Sequence, residues 1–585
     1  MSKSIQHESF YSSGEYINDQ ICTYAGWTCH KGSFCDCMPA WNEKKDVALI
    51  YFGENFTDLE LFDKLKSKHH RFENSNASYI VHMYEEEGID FLKDLNGWFA
   101  GIIIDLRTNK IVLFNDRYGM QKIFYYQGRD AFYFGSEAKA LLKVCPELRD
   151  LDMRGLGELL SCTCVLENRT LFKNVFLLPT ASAWEFHGSA HPVKGSYFDP
   201  SEWENQSWLA KDYFYDQLKD TFNRILPRYF RSKHSIGISL TGGLDTRMIM
   251  ANADLPAGKF PTYSFGSMYR DCYDVTFARK VAAIAEQTHT TLPTDAKFLS
   301  NFSHYAEKTI YITEGYLNLE GSAEVYVNNL ARDIAPIRLT GNFGGELLRG
   351  IRHLYAFPVN DCVYQPDFNQ FINAAQDTLN GIRQEFPLSF ILFNDMPWIN
   401  NNRLVSEQSQ LSLRTPYLDN DLVALVYRAP SGVLNSKELC FRLIADGNPA
   451  LSKLITDRGL GGNLHFPVAT LVHWYYEFLF KAEYAYDYGM PQWVASIDNA
   501  FKFMHFEKLF LGRHKFNHYR LWYRDELSDY VKAILLDHRT LTRPYLNKKA
   551  VEEIVNAHTR GNRNYTTEIT QLLTVELIQR LLIEQ

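Results

Sequence analysis

Midway through the chain, Ser239-Leu240-Thr241-Gly242-Gly243-Leu244-Asp245-Thr246 brings together two adjacent glycines, hydroxyl side chains and one carboxylate. A strand-like run from Ser235 to Leu240 feeds into this segment, and Arg247-Met-Ile-Met-Ala-Asn begins a helix after it. Adjacent glycines let backbone N–H groups turn toward an anion, the hydroxyls add donors, and the helix N-terminus adds a favourable dipole. That chemistry suits a pyrophosphate. A carboxylate within such a loop would repel phosphate unless a divalent cation lay between them, so Asp245 reads as a magnesium ligand. The same residue types also serve in ordinary strand-to-helix turns, and the loop alone does not separate the two.

The elements that must position the loop follow from patterning. Ser235-Ile-Gly-Ile-Ser-Leu and Phe260-Pro-Thr-Tyr-Ser-Phe are short apolar strands set among helical stretches, which predicts a parallel sheet covered on both faces. Earlier in the chain the texture differs. Asp46-Val-Ala-Leu-Ile-Tyr-Phe reads as a strand and Asp58-Leu-Glu-Leu-Phe-Asp-Lys-Leu as a helix. Trp98-Phe-Ala-Gly-Ile-Ile-Ile-Asp, Lys110-Ile-Val-Leu-Phe, Lys122-Ile-Phe-Tyr-Tyr and Ala131-Phe-Tyr-Phe-Gly then follow as strands of one meandering antiparallel sheet. The segment His191 to Pro200 is linker-like. From about residue 440 almost only helix signals remain, with Trp474-Tyr-Tyr-Glu-Phe-Leu-Phe as a candidate buried face.

At 585 residues the chain exceeds what one core usually serves, so two or more domains are expected. Hydrophobic residues at 46% and charged residues at 22% describe a folded globular protein. A net charge of −8 without a long Lys/Arg run lacks the footprint of a nucleic-acid binder. No apolar stretch of about 18 residues free of charge is present, which argues against a membrane span. The N-terminus does not resemble a secretory signal, and ten cysteines in so long a chain argue for a reducing cytoplasm. Cys29-His30, Cys35 and Cys37 match no zinc-ligand spacing and read as free cysteines.

With its companions the loop resembles the asparagine synthetase family, whose synthetase domain carries Ser-Gly-Gly-Leu-Asp-Ser at this place. Thr262-Tyr-Ser-Phe-Gly266 resembles the family's strand under the adenine, which implies adenine contacts from Ser264, Phe265 and Gly266. Asp274-Val-Thr-Phe-Ala-Arg-Lys-Val-Ala resembles the helix that follows. Leu339-Thr-Gly-Asn-Phe-Gly-Gly-Glu346, with Gly341 as a nucleotide contact, stands where the family has Ser-Gly-Glu-Gly-Ala-Asp-Glu. Arg414-Thr-Pro-Tyr-Leu-Asp419 resembles Arg-Val-Pro-Phe-Leu-Asp. In the first half, Leu95-Asn-Gly-Trp-Phe-Ala, Asn115 to Tyr126, Phe134 to Leu141 and Thr170 to Pro179 resemble the domain that releases ammonia from glutamine. The resemblance implies a two-domain α/β and α+β chain. Residues 1–205 form an Ntn-hydrolase-like α-β-β-α sandwich, and residues 206–585 an adenine nucleotide α-hydrolase-like parallel sheet with a helical C-terminal extension.

The family pattern also breaks. Its glutaminase uses a cysteine with a free α-amino group, whereas Ile21-Cys22-Thr-Tyr-Ala-Gly-Trp27 places Cys22 behind an extension. The family's Asn-Gly-Glu becomes Phe52-Gly53-Glu54, and no arginine-containing segment for the glutamine carboxylate is found. This domain is therefore expected to be an inactive amidotransferase. In the synthetase half the second metal aspartate falls at Gly345, leaving Glu346 as its replacement, and the family's glutamate is Asn342. The late catalytic lysine is missing from Ile455 to Gly461, where Arg458, or else Arg349, would stabilise phosphate charge.

The resulting expectation is an ATP- and magnesium-dependent, AMP-forming carbon–nitrogen ligase. It activates a carboxylate as its acyl-adenylate for attack by an amine or ammonia. Asp245 and Glu346 hold the metal, Asp245, Glu346 and Arg458 are catalytic, and Ser239, Leu240, Thr241, Gly242, Gly243, Asp245 and Thr246 bind the nucleotide. The alternatives are a glutamine-hydrolysing asparagine synthase processed to Cys22 and a non-catalytic nucleotide-binding scaffold. The partners are a small-molecule or peptide carboxylate and an amine, with no nucleic acid or membrane, and a homodimer is left open.

Overall fold

The computed structural model describes residues 1–382 and 386–584. Its first half is built on a five-stranded antiparallel sheet in the order Ala183–Phe186, Lys110–Asn115, Phe99–Asp105, Val47–Gly53, Ala40–Trp41. Side chains alternate across a strand, and here both sides are buried. Val47, Leu49 and Tyr51 face the cluster that contains Phe62, Leu65 and Ile80 from the covering helices. Ala48 and Ile50 face the opposite way, into a cluster with Ile102, Ile104, Leu113 and Trp184 that Tyr125, Phe132 and Trp27 cover.

That second covering layer corrects the expectation of one continuous meander. Phe124–Gln127 and Phe132–Gly135 leave the first sheet and pair with Phe176–Leu177 in a separate three-stranded sheet. The cause is the turn after Asn115. The buried Asp116 carboxylate accepts the backbone N–H groups of Tyr118 (3.0 Å), Met120 (3.0 Å) and Gln121 (2.7 Å), curling the chain out of the sheet plane. A further antiparallel hairpin, Tyr11–Asn18 with Thr23–His30, pairs Tyr11 with His30 through to Asn18 with Thr23.

The second half carries a parallel sheet in the order His289–Pro293, Thr262–Gly266, Ile236–Ser239, Ile337–Leu339, Ser412–Arg414. The earliest strand lies in the middle, so the chain winds outward first one way and then the other. The two-domain α/β architecture expected from the sequence is the one observed, and among the described residues no strand follows Arg414. The aromatic run at Trp474 is not a buried face. It lies on the helix Val468–Tyr486, where Trp474 is 70% and Phe478 66% exposed. The buried residue of that helix is Glu483, whose carboxylate accepts backbone N–H groups from Gly512 (2.7 Å) and His514 (2.7 Å). Periodicity locates an apolar stripe but does not say what covers it.

Candidate active site

In a doubly wound sheet, the crevice for a ligand opens where the strand order reverses, beyond the carboxyl ends of the two strands concerned. Here those strands are Ile236–Ser239 and Ile337–Leu339, which puts the loops 240–244 and 340–343 side by side. They touch so closely that only glycine fits. A Cβ on Gly341 would lie 2.5 Å from the Thr246 nitrogen, and one on Gly344 would lie 2.8 Å from the Asp245 carboxyl carbon.

The first loop alternates in exposure. Thr241 is exposed and Gly243 and Asp245 are half-buried, while Gly242, Leu244 and Thr246 are buried, as are Ser239 and Leu240 behind them. The helix Asp245–Asn252 that follows has no side-chain cap, so its first amides face the loop. Ser264 lies on the neighbouring strand, but its buried hydroxyl donates to the Leu240 carbonyl at 2.8 Å and supports the loop from behind. Phe265 rests against the Arg338 guanidinium at 5.0 Å, and a Cβ on Gly266 would press on Thr291 at 2.8 Å.

Asp245 stands between the two loops. Both carboxylate oxygens are held by Arg349, Oδ1 by Nη1 at 2.5 Å and Oδ2 by Nη2 at 2.9 Å. Burial pushes this carboxyl above the usual range, Arg349 opposes that shift, and the Glu346 charge adds to it. Glu346 is close enough to be felt by Asp245, yet its Oε1 accepts from Asn400 at 3.2 Å and lies 3.2 Å from His353 Nε2. Asn342 does not replace a catalytic glutamate in contact terms. Its side-chain oxygen accepts from the Thr340 hydroxyl at 2.9 Å and its carbonyl from the Thr415 hydroxyl at 2.8 Å, tying the second loop to the strand Ser412–Arg414.

Arg458 lies next to the residue that walls the loop, with its Nε 3.7 Å from Asp457 Oδ2, while the far end of its head group turns away from the loop. It pairs with Glu477 at 3.0 Å and sits 3.3 Å over the Phe480 ring. The neighbour, Asp457, is the residue that sequence reasoning missed. Its backbone N–H donates to the Gly242 carbonyl at 3.2 Å, and a Cβ on Gly242 would meet the Asp457 Cβ at 2.7 Å. Asp274 faces the same point, accepting the Gly242 N–H at 2.7 Å. Burial, and then the nearby Asp457 charge, push Asp274 up to about 7. Arg247 fastens the wall, donating to the carbonyls of Leu454 (2.7 Å), Ile455 (3.1 Å) and Gly242 (3.1 Å). Asp274 was visible as part of a motif; nothing in the spacing could have joined it to Asp457.

The first half meets this site through charge. Glu54 forms a two-pronged pair with Arg414, at 2.9 Å and 2.6 Å, and Asn96 donates to Asp419 at 2.8 Å. A cavity of about 320 Å³ lies behind this contact, lined by Trp27, Phe52, Trp98, Glu137 and Thr415 among others. Cys22 is remote from it in character: exposed, in the hairpin turn, with φ +48° and its N–H donating to the Asp19 carbonyl at 3.3 Å. The extension before Cys22 is built in. Tyr11 donates to the Ser409 carbonyl at 3.0 Å, Glu8 accepts from Gln410 at 2.7 Å, and His7 lies 2.8 Å from Glu137.

A doubly wound parallel sheet with paired glycine loops at its switch point, joined to a domain of antiparallel sheets, is the class that fold and site define. Comparison with known proteins is more specific. A glutamine amidotransferase domain family matches residues 36–197, and the asparagine synthase family matches residues 217–438. A Methanocaldococcus jannaschii protein named as a glutamine-hydrolyzing asparagine synthetase is 23% identical over 389 residues, 64% of this chain and 70% of its own. Asparagine synthetase 3 of Bacillus subtilis is 24% identical over 438 residues, 65% of this chain and 69% of its own. Asparagine synthetase 2 of the same organism is 26% identical over 267 residues, 43% of this chain and about a third (34%) of its own. The chain belongs to the asparagine synthetase family. No helix among the described residues is long and apolar enough to cross a membrane.

Proposed function

We propose that this protein is an ATP-dependent, AMP-forming amide ligase that does not take its nitrogen from glutamine. The observation that carries the reading is the contact of the two glycine loops at the switch point, with the Asp245 carboxylate between them. ATP would lie with its phosphates along Thr241, Gly243 and the first turn of Asp245–Asn252, and its adenine toward Ser264–Gly266. A substrate carboxylate oxygen bonds to the α-phosphorus as the bond to pyrophosphate breaks. An amine nitrogen then bonds to the acyl carbon, loses a proton, and AMP leaves with the former carboxylate oxygen. The loop's N–H and hydroxyl donors would bear on the departing charge.

The donor set fits magnesium, a hard cation that takes oxygen ligands and completes its shell with phosphates and water. Asp245, with Glu346 beside it, would hold the ion, and when bound it would neutralise charge on the leaving pyrophosphate. Arg349 holds both Asp245 oxygens in the structure, so it is the group that must yield one of them. Arg349 thereby takes over the phosphate-stabilising role first given to Arg458, whose guanidinium is stacked on Phe480.

The reading that glutamine supplies the nitrogen is disfavoured by two features. Glu54 is occupied by Arg414, and removing the extension to free Cys22 would strip the hairpin partner from Thr23–His30. The test is ATP–pyrophosphate exchange across candidate acids, with Asp245→Ala as control. Exchange with one class of acid, lost in the variant, supports the ligase. Binding of ATP without exchange for any acid supports a nucleotide-binding scaffold instead.

A further inference from the structure

Far from the loops, on the helix-covered face of the first sheet, four side chains from three segments converge. Glu43 lies in the turn before Val47–Gly53, His70 follows the helix Leu59–Ser67, and His82 and Glu85 stand on the helix Ile80–Glu87. One ligand atom from each lies within 4.8 Å of all the others, the one such group of three or more among the described residues. His82 Nδ1 is 2.8 Å from Glu85 Oε2 and 3.6 Å from Glu43 Oε2; His70 Nδ1 is 3.8 Å from Glu85 Oε2 and 3.6 Å from Glu43 Oε2. Four donors held about 2.0–2.1 Å from a tetrahedral zinc ion stand about 3.3–3.4 Å apart.

The outer atoms of all four groups are independently accounted for. His82 Nε2 is 3.2 Å from the Arg71 carbonyl, which can only accept, so the proton of a neutral His82 is on Nε2 and its Nδ1 bears a lone pair. His70 Nε2 is 2.9 Å from Glu86 Oε1, with the same consequence. Glu43 Oε1 accepts the Arg71 N–H at 2.7 Å and Glu85 Oε1 accepts from Asn42 at 2.7 Å. Two imidazole lone pairs therefore point at two carboxylate oxygens. The two rings stack 4.5 Å apart, and one divalent cation at the common point would take both lone pairs and both carboxylate oxygens at once. Outer hydrogen bonds from the remote histidine nitrogen to a carbonyl or carboxylate are what metal-ligating histidines show.

We propose that Glu43, His70, His82 and Glu85 form a structural zinc site. Two nitrogens and two carboxylate oxygens suit zinc among the divalent ions, and four protein ligands leave no open position for chemistry. The ion would clip the Asn42–Lys45 turn and the 68–72 segment to the helix Ile80–Glu87. Asn42, 3% exposed, acts as a positioning residue for Glu85.

The experiment is chelator treatment of the full chain, followed by competition titration with zinc and a visible spectrum of the cobalt(II)-loaded protein. The expected result is one equivalent bound, four-coordinate cobalt bands, at least a 100-fold loss of affinity in His82→Gln, and a loss of about tenfold in Asn42→Ala. Glu43→Gln, at the solvent edge and able to keep its contact with the Arg71 N–H, guards against a folding artefact. It should melt like the metal-free wild type yet lose the cobalt bands. Failure of the wild type to bind an equivalent of zinc overturns the proposal, as does binding that survives both His82→Gln and Glu43→Gln.

Discussion

Asp245 and Arg349 meet in a parallel, two-pronged carboxylate–guanidinium pair at the junction of the two glycine loops. Arginine is the cation best shaped to hold both oxygens of a carboxylate and equally able to pass to a phosphate. The pair thus opposes the upward pull of burial on this carboxyl, at the place where phosphate would lie under the proposed function. Arg349→Ala leaves Asp245 with its burial unopposed, so its carboxyl shifts further up. The expected outcome is a loss of about 100-fold in pyrophosphate exchange, with the acid limb of the pH profile moved to higher pH. Arg349→Lys, which keeps the charge but not the fork, should restore the limb and only part of the rate.

Asp274 and Asp457 make the loop's other wall sensitive to pH. A free aspartate ionises near 4, whereas burial and the Asp457 charge hold Asp274 at about 7. Between roughly pH 4 and 7 the folded chain keeps a proton that the unfolded chain has lost, so this group's contribution to stability falls as pH rises through that window. Asp457→Asn removes the like charge and lets Asp274 ionise earlier. Its melting temperature relative to wild type should therefore be higher at pH 7.5 than at pH 5. An equal shift at both values would show that the two carboxyls do not interact.

Glu54 is a structural residue in this chain. Arg414 is 6% exposed and donates also to the carbonyls of Tyr229 (3.0 Å) and Arg231 (2.9 Å), so the guanidinium cannot move to water when its partner is removed. Glu54→Gln should destabilise the fold by roughly 3 kcal/mol in urea unfolding, as expected for a buried charge left alone. Glutamine hydrolysis should be undetectable before and after the change.

Cys22 should be dispensable. Its Sγ lies 3.6 Å from the Asp19 carbonyl in an exposed turn, so Cys22→Ala is expected to leave exchange activity unchanged within twofold. A chain engineered to begin at Cys22 loses the partner of Thr23–His30 and with it the paired backbone from Tyr11 to Asn18. Such a chain should aggregate on its exposed edge without gaining glutaminase activity, seen by light scattering and a glutamate release assay.

Much of the architecture could be read from local pattern. The strands Ile236–Ser239 and Thr262–Gly266, the glycine loop between them and the helix after it lie where alternation and turn chemistry place them, because each is set by residues adjacent in the chain. The division of the antiparallel strands into two sheets was not legible. It depends on one buried carboxylate, Asp116, collecting the amides of a turn, and no periodicity reports that. The exposure of Trp474 escaped for a related reason: amphipathic spacing is local, and the neighbour that would cover a stripe is not.

The chemistry divides the same way. Sequence alone determined the phosphate-type loop, its membership of an ordered set of motifs and the loss of several expected residues, since these are matters of residue type and order. Only the tertiary structure decided which charges face which. It paired Asp245 with Arg349, set Arg458 on Phe480, and brought Asp457 against Gly242 and Glu54 to Arg414. It also gathered Glu43, His70, His82 and Glu85 around one point. Ion pairs and ligand sets act over a few ångströms of space, and distance along the chain carries no record of them.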